Sequence, residues 1–225
     1  MFALVDKKDN SITKFFNGNR GVDIGDNRYS QQIFTLWSEA ERNAIDIYTV
    51  EMDTSKRKDE RWYINTDITY SFDGSKAKGS YGDATAKAHA DTKWTQKEID
   101  DGDAPDGADT DTVAVEGLKT KLIRDIKNQA ENELNKTDWY VVRKAEESTA
   151  IPSAVTTHRK AVRSKQAEME TAITNASDTP ALETLYTYTE QEDGSFSRPL
   201  GEIPTLEKEI YNGNYIRCKY FIKWI

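Results

Sequence analysis

The densest set of groups able to do chemistry is an acidic segment at residues 99–112, which contains six aspartates, two glycines and a proline. A calcium-binding loop of the EF-hand type needs oxygen ligands at alternate positions. Counting from Asp101, Pro105 occupies the third ligand position, and counting from Asp109, Val113 does. The spacing therefore argues against such a loop. A run of like charges with Gly and Pro is typical of a solvated linker.

Residues that could carry catalysis are few and scattered. The chain has two histidines, His89 and His158, and a single cysteine, Cys218. The sequence contains no GxSxG, HExxH or GxxxxGK[ST] motif, so nothing marks a nucleophile, a zinc site or a phosphate-binding loop. Glu146 and Glu147 are adjacent and diverge on a helix, so they do not form the carboxylate pair of a glycosidase. We predict a non-enzymatic protein with no catalytic residues, no metal and no cofactor, and we expect His158 at the surface or in an interface.

Two further sets of side chains are candidates for binding. The aromatic set consists of Trp62, Tyr63, Tyr70, Phe72 and Tyr81. It could form a platform for sugar rings, but alternation along the chain places most of its members on a buried face. The basic set consists of Arg143, Lys144, Arg159, Lys160, Arg163 and Lys165. It can be a solvated face, a docking surface for an acidic partner, or a docking surface for the chain's own acidic segment. The sequence does not separate these alternatives.

The composition limits the possible number of domains and the possible classes of partner. The chain has 225 residues and a formal net charge of −8, with 36% hydrophobic and 31% charged residues. This length allows one large or two small domains, and the polar balance predicts modest cores joined by solvated segments. An acidic chain lacks the basic footprint of a nucleic-acid-binding protein, a single cysteine excludes an intrachain disulfide, and no apolar run is long enough to span a membrane. The first ten residues lack a signal-peptide pattern, so we expect synthesis without Sec export.

Local patterns in the first half of the chain predict a small β domain. Strands are predicted over residues 2–5, 12–16, 47–52, 61–72 and 76–81. Ser38 and Glu41 have the spacing of a capping box, which predicts a short helix over residues 39–45. Residues 61–72 alternate strictly between polar and apolar side chains, which predicts one half-buried strand that ends at the turn Asp73-Gly74.

The second half of the chain is predicted to be helical and then to return to strands. An apolar residue recurs every fourth position from Leu118 to Leu134, which predicts a helix from about residue 112 to about residue 135. Thr137 or Asp138 is expected to cap the next helix, which opens with Trp139 and Tyr140, and Pro152 breaks it and opens a third. The predicted apolar face of that third helix consists of Val155, Val162, Gln166, Met169 and Ile173. A hairpin is expected around Asp193-Gly194.

The end of the chain carries a strongly amphipathic strand pattern. Over residues 215–225, one face consists of Ile216, Cys218, Tyr220, Ile222 and Trp224. Such a strand needs a sheet to complete, in its own chain or in a neighbour's. Together the elements predict an α+β protein. The predicted regions are an N-terminal β-rich domain (1–98), an acidic linker (99–112), a helical region (113–187) and a C-terminal β extension (188–225).

Four strings carry a resemblance to a known family. FALVDKKDNSI and FTLWSEAERNAIDIYTVE in the first half, TDWYVVRKAEESTAIPSAVTTHRKAVR at residues 137–163, and SRPLGEIPTLE near the end resemble segments of tail-fibre assembly proteins of tailed bacteriophages, and related tail proteins of marine phages in particular. In the helical string, the residues that match the pattern are Trp139, Arg143, Pro152, Arg159 and Arg163. Typical assembly proteins are shorter and end soon after the helices, whereas here a β extension follows.

The resemblance implies a non-enzymatic tail protein that acts by protein–protein packing and strand addition, either as a virion component of the tail, baseplate or fibre or as a fibre assembly factor. The implied partners are tail-fibre, baseplate or other tail proteins, or further copies of the chain, with no nucleic acid and no membrane. The implied location is the virion tail, or the host cytoplasm during assembly. The predicted partner-binding residues are Trp139, Arg143, Arg159, Arg163, Ile216, Tyr220, Ile222 and Trp224. A carbohydrate-binding module at the particle surface is the alternative, and a cell-wall hydrolase, which rests only on the many carboxylates, is the third hypothesis.

Overall fold

The computed structural model describes residues 1–206. Its described part divides into two compact units, Met1–Ala86 and a second that begins at Lys87. The first unit is built mainly of strands and the second mainly of helices, so the predicted α+β class is confirmed. The strand predicted over residues 215–225 lies outside the described residues.

The first unit is a curved sheet covered by short helices. Its elements are, in order, β1 (Phe2–Asp6), β2 (Ser11–Phe16), β3 (Val22–Ile24), β4 (Asn27–Tyr29), a 3-10 helix (Gln31–Phe34), α1 (Glu39–Asn43), β5 (Ile47–Asp53), β6 (Tyr63–Ile64), β7 (Ile68–Phe72), β8 (Ala77–Tyr81) and β9 (Thr85–Ala86). Five of the strands form one sheet in the order β2-β1-β5-β8-β7. All its neighbouring strands are antiparallel except β5 and β8, which run parallel.

Strand β1 is the centre of this unit because both of its faces are covered. One face contributes Ala3 and Val5 to a cluster with Tyr48, Val50, Phe72 and Ala77. The opposite face contributes Phe2 and Leu4 to a second cluster, built mainly from β2, β3, the 3-10 helix and β5. The hairpin predicted from residues 2–5 and 12–16 is confirmed, with Phe2 paired to Phe16. The capping box is confirmed too, since the Ser38 hydroxyl accepts from the Glu41 amide and the Glu41 carboxylate accepts from the Ser38 amide.

The single strand predicted over residues 61–72 is wrong. The chain forms β6 and β7 instead, and a turn precedes them in which the carbonyl of Asp59 accepts from the amides of both Trp62 and Tyr63. This turn ends the alternation, so the consecutive residues Trp62 and Tyr63 are both buried while Ile64 is 59% exposed. A backbone turn that satisfies two amides at once has no signature in the hydrophobic pattern.

The second unit begins with a small hairpin and continues with helices. Its elements are β10 (Thr92–Lys93), α2 (Gln96–Asp100), β11 (Val113–Val115), α3 (Leu118–Asn135), α4 (Asp138–Glu147), α5 (Ser153–Asn175), α6 (Thr179–Tyr186), β12 (Thr189–Glu190) and β13 (Phe196–Ser197). Strands β10 and β11 pair antiparallel. The acidic segment at 99–112 therefore lies inside the second unit, between two paired strands, and the units divide at residues 86 and 87. This position differs from the predicted linker between domains.

The core of the second unit lies between α3 and α5. Lys119 contacts the carbonyl of Thr174, and Lys127 lies near Glu170, so α3 and α5 run antiparallel. Their facing side chains are Leu122, Ile126 and Ala130 on α3 and Val155, Val162, Met169 and Ile173 on α5. The predicted apolar stripes of both helices are confirmed. Although α4 and α5 follow one another in the string at residues 137–163, α5 takes α3 as its main partner rather than α4.

The SRPLGE string closes the described part of the chain against α6. The Arg198 guanidinium lies over the rings of Tyr186 and Tyr188 and donates to Glu202 at 2.7 Å, while Leu200 is buried and its amide donates to the carbonyl of Leu185. Within residues 1–206, no helix has the length and apolar character needed to cross a bilayer.

Candidate partner-binding surface

The start of α4 is fixed by a buried polar joint around Arg159. Leu134 lies in the last turn of α3, and its carbonyl accepts from the amide and the hydroxyl of Thr137, each at 3.0 Å. Arg159 donates from one guanidinium nitrogen to this carbonyl at 2.8 Å and to the hydroxyl of Thr137 at 2.7 Å. The same nitrogen lies 2.7 Å from the carboxylate of Asp138, the first residue of α4. One side chain of α5 therefore ties the end of α3 to the beginning of α4.

This geometry changes the role of one predicted site residue. Arg159 was expected to contact a partner, but it is only 8% exposed and its contacts are with its own chain. Thr137 precedes α4 as expected, yet its hydroxyl makes no helix-capping bond. It donates to the Leu134 carbonyl and accepts from Arg159 instead. Arg159 and Thr137 act as structural residues that orient α4.

A second buried polar group, which sequence reasoning missed, adjoins this joint. Glu133 is buried, its carboxylate accepts from the amide of Leu206 at 2.6 Å, and it also pairs with Lys136. His158 Nε2 lies 3.2 Å from this carboxylate but without the geometry of a hydrogen bond, and it has no other partner among residues 1–206. The sequence does indicate that Glu133 is buried, because it lies three residues after Ala130 on the apolar stripe of α3.

The prediction that His158 lies at the surface or in an interface is wrong within this chain, since His158 is 8% exposed. Burial lowers its pKa below the ordinary value because the charged imidazolium loses hydration. The Glu133 carboxylate opposes this shift, while the positive charges of Lys136 and Arg159 add to it. His158 is therefore held in its neutral form at neutral pH.

Beyond the joint, the residues of α4 are exposed or half-buried. None of its ten residues is buried by the described part of the chain. Trp139 is 49% exposed and its ring stacks on that of Tyr140, with centroids 3.8 Å apart. The Arg143 guanidinium lies over both rings, 4.7 Å from the Trp139 centroid and 5.4 Å from that of Tyr140. These three side chains form one preformed cluster, which we call the Trp–Tyr–Arg stack.

Apolar side chains extend this surface. Val142 is 52% exposed and lies three residues after Trp139, so the two are neighbours on the helix face. Val141 is also exposed. The helix ends at Ser148, which adopts a left-handed conformation with a φ of 59° and donates its amide to the carbonyl of Lys144. Sequence reasoning missed Val142, although its spacing from Trp139 is the signal of a shared face.

The remaining predicted site residues lie apart from this stack or outside the described residues. Arg163 is exposed and lines a shallow groove between α3 and α5 together with Lys127, Leu134, Asp138 and Gln166. Neither Trp139 nor Arg143 lines that groove. The predicted contacts at Ile216, Tyr220, Ile222 and Trp224 lie outside the described residues. The structure thus brings together Trp139 and Arg143 from the predicted set.

The chemistry available to this surface is that of recognition. Within residues 1–206, no group of three or more His, Cys, Asp or Glu side chains is placed to hold a metal ion. The stack offers an aromatic area, a guanidinium and two valines on a helix anchored at one end. Comparison of the chain with protein-family models, curated proteins and solved structures gives no match.

Proposed function

We propose that this chain is a non-enzymatic bacteriophage tail protein that binds a fibre, baseplate or other tail protein, either as a part of the particle or as an assembly factor. The observation that carries the binding role is the exposure of α4, whose Trp–Tyr–Arg stack is left uncovered by the described chain. The tail context rests on the resemblance of residues 137–163 and of the three other strings to tail-fibre assembly proteins.

The physical argument for binding is that the exposed face of α4 has the composition of an interface centre. Trp, Tyr and Arg are enriched among residues that dominate binding energy. Covering apolar surface contributes roughly 25 cal/mol per Å², and Trp139, Val141 and Val142 are all about half exposed. Since the stack and the Arg159 joint already order this region, a partner would lose little conformational entropy in binding it.

A second contact in the proposal is strand addition by residues 215–225. It rests on the alternation of this segment, which places Ile216, Tyr220, Ile222 and Trp224 on one face. Deletion of residues 213–225 should then weaken partner binding. Undiminished binding by the deleted chain would remove strand addition from the proposal and leave α4 as the sole contact.

The decisive experiment is quantitative mass spectrometry on purified phage particles and on lysate of infected cells. A copy number at a fixed small multiple of the tail symmetry identifies a structural tail component. Absence from particles together with a complex with a fibre protein in the lysate identifies an assembly factor. If the chain neither enters particles nor associates with any tail protein, the proposed function is wrong.

A variant pair connects this function to α4. Trp139→Ala removes half of the ring stack and should reduce association with the tail partner identified above. Leu36→Ala is the matched control, because Leu36 is an apolar residue in the first unit that is 73% exposed. Equal association of both variants would show that α4 is not the contact surface.

One specific observation supports the alternative, a carbohydrate-binding module. Two of the aromatic residues first considered for it, Trp62 and Tyr63, are buried in the core. Phe15 and Tyr70, in contrast, are both exposed and their ring centroids are 4.5 Å apart. Binding on a broad glycan array that is lost in Tyr70→Ala would support this alternative, and a blank array would end it.

A further inference from the structure

Arg143 lacks the carboxylate partner that four other arginines of this chain have. Arg57, Arg124, Arg159 and Arg198 each lie within 2.9 Å of a carboxylate oxygen. Among residues 1–206, Arg143 makes no hydrogen bond or ion pair, and its Nε is buried without a partner. A guanidinium carries five N–H donors, so this side chain has an unused capacity to donate.

The missing acceptor is not explained by a shortage of carboxylates. The chain has 39 acidic residues against 31 Lys and Arg. Glu146 and Glu147 follow Arg143 by three and four residues, which is the spacing at which helical ion pairs form. Arg143 lies over Trp139 and Tyr140 instead, on the N-terminal side of its own position. The rings thus compete successfully with two local carboxylates and determine where the guanidinium lies.

Stacking fixes what the guanidinium can still recognise. Cation–π contact uses the flat face of the group. Its N–H donors lie in the plane of the group, and its two terminal nitrogens have the fork geometry that matches both oxygens of a carboxylate. The neighbouring Val142 and Trp139 supply apolar area beside this fork. Lys144, the next residue, adds a second positive charge on α4, which also carries the acidic residues Asp138, Glu146 and Glu147.

We propose that α4 binds a protein segment that presents an Asp or Glu carboxylate next to an apolar side chain. Arg143 receives the carboxylate as a bidentate pair, and Trp139 and Val142 receive the apolar group. This inference rests on the proposed role of α4 as a binding surface and specifies the chemistry of its partner. Of the three alternatives left open for the basic set, it selects a docking surface for an acidic partner, and it does so for Arg143 alone.

Other occupants fit the surface less well. A second copy of α4 would bury the face of a ten-residue helix, which is small beside the roughly 800 Å² per partner of a stable interface. A nucleic acid would meet a chain of net charge −8, whereas phosphate backbones require a broad basic footprint. A short protein segment with one carboxylate beside an apolar side chain matches the size of the face and the guanidinium of Arg143, which has no acceptor within the described residues.

The test is a selection of short random peptides displayed on a library, with the full-length chain immobilised. Clones that also bind Arg143→Gln are removed by counter-selection. The expected result is enrichment of peptides with Asp or Glu adjacent to Leu, Ile, Val, Phe or Trp. Failure to enrich any peptide over the Arg143→Gln control, or enrichment of sequences without acidic residues, overturns the inference.

Fluorescence anisotropy on one enriched peptide then measures the contribution of each group. Arg143→Gln should weaken its affinity about tenfold or more, because a bidentate charged pair is lost. Arg143→Lys should recover only part of this loss, since an ammonium cannot form the fork. Arg20→Gln, which removes an exposed positive charge from the first unit, should leave the affinity unchanged. Equal effects of Arg20→Gln and Arg143→Gln on the affinity would show that binding depends on net charge alone, and would refute the specific site.

Unfolding midpoints of the variants separate binding from folding. Arg143→Gln should unfold much like the parent chain because Arg143 makes no hydrogen bond or ion pair within the described residues. The test of this inference and the test of the proposed function can fail independently. If the selected peptides share an acidic and apolar consensus but the chain associates with no tail protein, only the tail role is contradicted. Tail association that survives Arg143→Gln would contradict the carboxylate-binding role alone.

Discussion

One guanidinium nitrogen of Arg159 donates to the hydroxyl oxygen of Thr137 over 2.7 Å, and both side chains are buried. The same nitrogen also contacts the Leu134 carbonyl and the Asp138 carboxylate. Thr137 lies between α3 and α4, so this contact sets the direction in which α4 leaves the helical pair. The exposed face of α4 is available for binding because its first residue is held in this way.

Arg159→Met should destabilise the second unit by about 1.5–3 kcal/mol, because it removes the buried charged donor that the Leu134 carbonyl and the Thr137 hydroxyl share. Urea unfolding followed by circular dichroism measures the change. Arg163→Met, one turn further along α5 and exposed, is the matched control and should change stability by less than about 0.5 kcal/mol. Similar small losses for both variants would show that the joint contributes nothing to folding.

Thr137→Val tests whether the two side chains act together. Valine keeps the shape of threonine but cannot accept from Arg159, so a loss of about 1–3 kcal/mol is expected. In the double variant with Arg159→Met the two losses should fall short of additivity by about 0.5 kcal/mol or more, because the partners share one contact. Thr137→Ser retains the hydroxyl and should show a smaller loss. Fully additive losses would mean that the contact at 2.7 Å carries no coupling.

The stability of the second unit should depend on pH through His158. Since the folded chain lowers the pKa of this imidazole, the unfolded chain binds a proton at higher pH than the folded chain does. The contribution is therefore complete above the ordinary histidine pKa of about 6.5, and it is lost as the pH falls from there through the lowered folded pKa. Unfolding free energies between about pH 7.5 and pH 5 should show this slope.

His158→Gln is expected to flatten the slope in that window, because glutamine has no proton to take up. His89→Gln, which leaves His158 in place, should keep it. The groups that face His158 are Glu133, Lys136 and Arg159, and only the first would stabilise a charged imidazole. A slope that persists unchanged in His158→Gln would assign it to other groups.

Gly117→Ala should be strongly destabilising for a steric reason. Gly117 precedes α3 with a φ of −75°, which any residue adopts, and its amide donates to Asp91 at 2.7 Å. A Cβ at this position would lie 2.3 Å from the carbonyl carbon of Ala90 and 2.4 Å from its oxygen. Backbone atoms cannot move aside as a flexible side chain does, so a loss of about 2–3 kcal/mol is expected in urea unfolding.

Gly102→Ala is the contrasting control for that measurement. A Cβ at Gly102 would meet nothing within 4 Å, but its φ of +81° is unfavourable for alanine. The expected loss is therefore about 1 kcal/mol, from backbone conformation alone. If Gly117→Ala costs no more than Gly102→Ala, the close approach of Ala90 does not constrain the start of α3.

Elements specified by contiguous residues could be predicted from the sequence. The capping box at Ser38, the opening hairpin and the stripes of α3 and α5 each depend on side chains within a few positions of one another. The break before β6 could not, because it depends on one carbonyl, that of Asp59, accepting two amides. The pairing of β10 with β11 could not either, since these strands are too short for a period and lie on both sides of the acidic segment.

The candidate surface, too, could be predicted from the sequence only in part. The exposure of Trp139 and Arg143 on a helix was expected, since both belong to a short amphipathic segment between two breaks. The burial of Arg159 could not be read from its neighbours, because its acceptors Leu134 and Thr137 are 25 and 22 residues away in the chain. Only the antiparallel packing of α3 and α5 brings them together. The same packing encloses His158 beside Glu133.

The acidic segment between β10 and β11 has a practical consequence for the covalent chain. A protease that cuts between Gly102 and Gly107 separates the polypeptide into two fragments, but the strands on both sides of the cut still pair with each other. The nicked protein should therefore elute as one species under native conditions and run as two bands only after denaturation. An exposed loop with these properties is also suited to accept an inserted epitope tag while leaving α4 untouched.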